Sequence, residues 1–78
     1  MRVTVLVTLK PGVLNAEGRQ VERALRELGY DQVSEVRTGK VIHLDLDAED
    51  EAQARRLAAE MCDKLLANPV IEQYDIQI

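Results

Sequence analysis

Four features of the 78-residue chain carry side chains capable of chemistry, and each is incomplete. His43 is the only histidine, and Asp45 follows it by two positions on an alternating segment, which puts both on one strand face. A carboxylate beside an imidazole can orient it for metal or proton chemistry. No second histidine and no cysteine stands at a ligand spacing from it, so His43 is read as a surface or interface residue. Cys62, the single cysteine, excludes an intramolecular disulfide. It falls late in a helix, away from any feature that would lower its pKa, and is read as a buried packing thiol. Gly12 and Gly18 flank a helix start, where backbone amides can hold an anion. Glu17 between them repels an anion and the phosphate fingerprint is missing, so they are read as turn geometry. Arg37 and Lys40 bracket Thr38-Gly39, a basic turn suited to docking an acidic partner.

The elements that position these groups follow from periodicity. Val3, Val5, Val7 and Leu9 alternate with Thr4, Leu6 and Thr8, a central β-strand that Pro11 and Gly12 bring to an end. Asn15 is an N-cap, Glu17 suits the first helical turn, and Val21, Ala24, Leu25 and Leu28 form one apolar stripe expected to face a core. Gly29 stops that helix. Residues 33–38 read as a weaker edge strand, joined by a tight hairpin at Gly39-Lys40 to a strand over 41–47 with Ile42, Leu44 and Leu46 inward. The acidic run 47–51 starts a second helix whose expected buried stripe is Ala54, Leu57, Ala58, Met61 and Leu65. Pro69 ends it, and 70–78 reads as a last strand with Val70, Tyr74, Ile76 and Ile78 on one side. The order βαββαβ implies an α+β, ferredoxin-like domain over residues 1–78: a four-stranded antiparallel sheet with both helices on one face. The opposite face and the long last strand are then free for a second subunit, with Val70, Ile71, Tyr74 and Ile76 as candidates for self-association.

Composition narrows the function classes. A chain of 78 residues with no Trp or Phe builds a thin aliphatic core, and small cores without disulfides often lean on oligomerisation. The net charge of −4 argues against a nucleic-acid partner, and neither central strand carries the aromatic rings on which RNA bases stack. The charge is uneven: residues 1–40 hold seven basic and five acidic side chains, residues 41–78 three and nine. No apolar run approaches the roughly 20 residues needed to span a bilayer, and no leader precedes the first strand, so a cytoplasmic location is expected. From the residues alone the chain is a soluble α+β module with no visible chemistry, and its cations at turns, Lys10, Arg37 and Lys40, are candidate partner contacts. A small-molecule regulatory domain of the ACT type shares the element order and stands as the alternative.

Two dense blocks add a family resemblance. Leu9-Lys10-Pro11-Gly12-Val13-Leu14 and Leu65-Leu66-Ala67-Asn68-Pro69-Val70-Ile71-Glu72, with Leu28-Gly29 and Val36-Arg37-Thr38-Gly39-Lys40 between them, resemble the PurS subunit family of phosphoribosylformylglycinamidine synthase. Where that family often has Asp-Pro, this chain has Asn15-Ala16, which keeps the N-cap. The resemblance implies an assembly subunit of de novo purine biosynthesis without catalytic residues of its own. The complex would be an ATP- and glutamine-dependent C–N ligase in which this subunit bridges a glutaminase and a synthetase subunit and aids ammonia transfer. It further implies a homodimer or dimer of dimers, and no cofactor on this subunit, with ATP and Mg used by the complex.

Overall fold

The structure, a computed structural model, describes all residues from Met1 to Ile78. The elements are β1 (Arg2–Leu9), α1 (Ala16–Glu27), β2 (Gly39–Asp45), α2 (Glu51–Met61) and β3 (Glu72–Gln77), with a π-type turn over Cys62–Leu66 extending α2. It is an α+β fold with two helices and one three-stranded sheet in the order β2-β1-β3, antiparallel throughout. β1 is central, as its two-sided pattern requires, and Val5 lies between Ile42 of β2 and Ile76 of β3. Val3, Val5 and Val7 are essentially inaccessible, and each contributes roughly 1.5–3 kcal/mol by burial. At the chain start the Met1 ammonium donates to the Leu46 carbonyl at 2.7 Å, and Leu46 N–H donates back to the Met1 carbonyl, which extends the β1–β2 pairing.

The sheet has three strands because residues 33–38 do not join it. They run as irregular chain, and the expected hairpin residues Gly39 and Lys40 lie inside β2, paired with Thr8 and Val7. The reason is a competing attachment. Asn15 Nδ2 donates to the Thr38 carbonyl at 2.9 Å and Thr38 Oγ1 donates to Asn15 Oδ1 at 3.0 Å, so this segment is held by the start of α1 rather than by a strand edge. The last strand is likewise shorter than 70–78. A turn around Asn68 takes the Val70 N–H on its side-chain oxygen at 3.0 Å and the Ile71 and Glu72 N–H groups on its carbonyl, so pairing begins only at Glu72.

Only α2 covers the sheet, and it does so through small residues. Ala54, Ala58 and Cys62, four apart, are fully buried, whereas Met61 is 36% and Leu65 83% exposed. The stripe expected to be buried is therefore rotated: α2 comes down on Val3, Val5 and Val7 closely enough that only Ala and Cys fit beneath it, and its large residues face sideways. The helix is started by Asp50, whose carboxylate accepts from Gln53 N–H at 2.8 Å, and the Glu51–Arg55 pair forms at 3.2 Å on its outer face.

α1 does not cover the sheet at all. No α1 residue belongs to the core or packs against it, and Val21 and Leu28 are 40% and 74% exposed. The molecule measures 50 × 23 × 14 Å with a radius of gyration of 15.9 Å, against about 11.5 Å for a compact chain of this length. An eight-residue strand is about 26 Å long and a twelve-residue helix about 18 Å. The long axis is reached by laying them end to end, with α1 projecting past the sheet. α1 ends in a Schellman motif, Gly29 at φ +101° with Tyr30 N–H bonded to the Leu25 carbonyl and Gly29 N–H to that of Arg26. No helix is long and apolar enough to cross a membrane.

Candidate functional site

The end of the sheet from which α1 springs gathers most of the residues flagged from sequence. β1 leaves the sheet in a type II turn with Pro11 at its second position and Gly12 at φ +88°, closed by Val13 N–H on the Lys10 carbonyl at 3.1 Å. Lys10 Nζ donates to the Pro69 carbonyl at 2.7 Å, and Lys10 N–H donates to the Ile71 carbonyl at 2.8 Å, which ties the loop before β3 to this turn. Arg37 reaches the same turn from the other side: its Nη2 lies 3.3–3.4 Å from the carbonyls of Leu9, Lys10 and Val13, and its Nη1 3.7 Å from Glu35. Lys10 and Arg37 are thus braces of the local backbone as well as surface cations. Lys40 is exposed and makes no ion pair.

Beneath these cations lies the attachment of α1. Asn15, only 5% exposed, caps the helix by accepting from Gly18 N–H at 2.7 Å while it holds Thr38 by the two bonds described above. Gly18 is buried against the passing chain: a Cβ there would fall on the Val36 carbonyl oxygen and 2.8 Å from Asn15 Oδ1. The sequence pattern marks Asn15 as a cap but not Gly18 as a crossing point. A glycine inside the first helical turn, costing about 1 kcal/mol relative to alanine, is the signal that points to it. A cleft of about 590 Å³ opens beside this crossing between Arg19 and Arg37.

The remaining candidates are not brought together. His43 and Asp45 share the open sheet face but do not pair; His43 Nδ1 is hydrogen-bonded at 3.1 Å to Thr4 Oγ1, and Asp45 lies 3.9 Å from Arg2. No group of three or more His, Cys, Asp or Glu side chains is placed to hold a metal ion. Of the four self-association candidates, Val70 and Ile71 are exposed at the braced end, while Tyr74 and Ile76 turn inward onto the core. The open face itself is mostly polar, Thr4, Thr8, Gln73, Asp75 and Gln77 surrounding Leu6 and Val41.

Cys62 is fully buried, and burial, reinforced by the Asp63 carboxylate, pushes its thiol pKa up. The Tyr74 phenol is pushed up as well, by desolvation first and then by the hydroxyl's 3.2 Å hydrogen bond to Asp63 and that carboxylate's charge. Both groups ionise more readily in the unfolded chain. Their contribution to stability is complete below the unfolded thiol pKa of about 8.5 and is lost as pH rises through the folded values. Thermal unfolding followed from pH 7 to 11 is expected to show a falling midpoint above about pH 8.5, and Cys62→Ala with Tyr74→Phe should flatten that fall. A midpoint independent of pH across this range would refute the assignment.

No metal-ligand set gathers on this surface. What it offers is backbone braced by Lys10 and Arg37 beside a helix carried past the end of the sheet. Comparison with known proteins makes the particular family plain. Residues 2–78 match the family model PurS, described as phosphoribosylformylglycinamidine (FGAM) synthase. The chain is 48% identical over 77 residues to the PurS subunit of phosphoribosylformylglycinamidine synthase from Methanocaldococcus jannaschii, covering 99% of this chain and 93% of that protein. It is 53% identical over 74 residues to the subunit from Synechocystis sp., covering 95% and 74%. The crystal structure of the M. jannaschii PurS, one of the subunits of formylglycinamide ribonucleotide amidotransferase, superposes with a TM-score of 0.90 over 97% of this chain and 92% of that one, at 49% identity. A chain of the PurLQS structure from Thermotoga maritima superposes at 0.89 over 97% and 93%, at 34% identity. The chain belongs to the PurS family.

Proposed function

We propose that this chain is the assembly subunit of phosphoribosylformylglycinamidine synthase in purine biosynthesis, joining a glutaminase subunit to an ATP-dependent synthetase subunit. The observation that carries the reading is a PurS-family chain whose fold recurs in the PurLQS structure from Thermotoga maritima. Its contribution is positional. Ammonia released at one active site is lost to solvent unless a sheltered path leads to the next, and a subunit that fixes the two sites relative to each other supplies that alignment. ATP and Mg are then bound by the partners, in the cytoplasm, and the chain acts as one domain over residues 1–78.

Partner contact is assigned to the braced end of the sheet, where Lys10, Arg37 and Lys40 stand together. The chain is read as a homodimer or dimer of dimers. Val70 and Ile71 supply an exposed apolar patch beside the free edge of β3, and Tyr74 and Ile76 anchor that strand from the core side. An unpaired edge strand is a ready template for pairing with another chain.

The test is reconstitution with the synthetase and glutaminase subunits. Omitting this chain is expected to lower glutamine-dependent amidine formation by roughly an order of magnitude or more, while formation driven by added ammonia falls much less. Equal glutamine-dependent rates with and without the chain would remove the proposal.

A further inference from the structure

The two edges of the sheet are not equally free. Lys10 N–H bonds the Ile71 carbonyl at 2.8 Å, one step beyond the last β1–β3 partners, Leu9 and Glu72. Antiparallel strands exchange hydrogen bonds at every second pair, so the bonded pairs are Thr8–Gln73, Leu6–Asp75 and Thr4–Gln77. The backbone groups of Glu72, Tyr74 and Ile76 therefore point away from β1 and out past the edge. On β2 the Met1–Leu46 bonds fix the same alternation and turn the backbone groups of Val41, His43 and Asp45 outward.

Those groups of β2 are left unmet, whereas two of those on β3 are met from within the chain. Glu72 N–H donates to the Asn68 carbonyl at 2.7 Å. Arg55, reaching down from α2, donates from Nη1 to the Ile76 carbonyl at 3.1 Å. Its guanidinium is steadied one turn back by Glu51, whose Oε1 accepts from Nη2 at 3.2 Å. The amide nitrogen of an adjoining strand would sit about 2.9 Å from that carbonyl oxygen. The arginine head thus fills the place into which the next strand must come.

We propose that Arg55 is a gate on the β3 edge, closing it to the β3 strand of a second copy until the guanidinium is withdrawn. The inference rests on the reading of that edge as a self-association contact and deepens it. Symmetry shows why one arginine is enough. Two β3 strands meeting antiparallel about a two-fold axis at Tyr74 set each Tyr74 against the other, and each Glu72 against Ile76 of the second copy. The outer pairs need a bond from the Glu72 N–H to the Ile76 carbonyl, once in each direction. Those are the donor that Asn68 holds and the acceptor that Arg55 holds. Charged side chains commonly protect sheet edges from strand addition. Here Glu51 aims the charge at one carbonyl.

The test uses the full-length protein. Arg55→Ala removes the guanidinium from an exposed position and leaves a strong helix former. Glu51→Gln keeps Arg55 but releases its hold. In sedimentation over a concentration series, Arg55→Ala should lower the concentration at which the edge-paired species forms by roughly tenfold or more. Glu51→Gln should shift it the same way by less. Hydrogen exchange locates the contact: the Tyr74 and Ile76 amides should exchange freely in the parent and gain protection in Arg55→Ala as concentration rises. An unchanged assembly profile in Arg55→Ala overturns the gate. So does protection gained at Val41 and His43 instead, or Tyr74 and Ile76 amides as protected in the parent as in the variant. None of these results bears on the omission assay above, so failure of the gate and failure of the assembly role are separately visible.

Discussion

Gly18→Ala should detach α1 from the rest of the protein. At an ordinary position in a helix the change would stabilise by about 1 kcal/mol, because alanine is the better helix former. Here the added methyl meets the Val36 carbonyl oxygen, a backbone atom that cannot swing aside. The crossing must open, and with it go the Asn15 cap, worth about 1 kcal/mol, and the two Asn15–Thr38 bonds at about 1 kcal/mol each. We expect a net loss of about 2–3 kcal/mol, opposite in sign to the helix-propensity effect. Hydrogen exchange locates the effect. The amides of α1 should lose protection while those of β1, at the centre of the sheet, keep theirs. An alanine variant as stable as the parent, with α1 equally protected, would show that the crossing is loose and the helix free to move.

The second large effect is expected at Ala58, fully buried between α2 and the β1 valines. Ala58→Leu adds three carbons where the helix already touches the sheet, and overpacking of this kind costs about 1–3 kcal/mol or more. A domain of this size has roughly 4–12 kcal/mol in total. The thermal midpoint should therefore fall by about 10–20 °C, as followed by far-UV circular dichroism or calorimetry. Ala58→Ser, which changes the volume little, should fall much less. If leucine were accepted without loss, the close approach of α2 to the sheet would be wrong, and with it the account of why Leu57, Met61 and Leu65 are turned aside.

Legibility from sequence followed how local each feature is. β1 could be read because its valines alternate and Pro11 with Gly12 must end a strand. The cap of α1 could be read because Asn15 acts within three residues of itself, and the start of α2 from the acidic run 47–51, within which the structure makes Asp50 the cap; the inward set Ile42, Leu44 and Leu46 of β2 was legible too. Beyond local pattern, two blocks of residues sufficed to place the chain in its family. Less was legible of the site. Lys10 and Arg37 were picked out as exposed cations at turns, but their second role, bracing backbone carbonyls, needed the turn of residues 10–13 and the loop before β3 to be folded beside them. Gly18 looked like turn geometry and is a crossing of two segments.

The two helical stripes show where the boundary falls. Periodicity establishes that Val21, Leu25 and Leu28 share one face of α1, and that Leu57, Met61 and Leu65 share one face of α2, because 3.6 residues per turn make it so. It does not establish what covers those faces. That choice depended on alanines at 54 and 58 letting α2 sit close to the sheet, and on Asn15 binding Thr38 strongly enough to draw residues 33–38 away from a strand edge. Both are contacts between distant parts of the chain. The sequence by itself determined the central strand, the two helices, their apolar faces and the family. Only the tertiary structure decided that two of those faces remain open, because burial is settled by the fit of surfaces brought together from opposite ends of the chain.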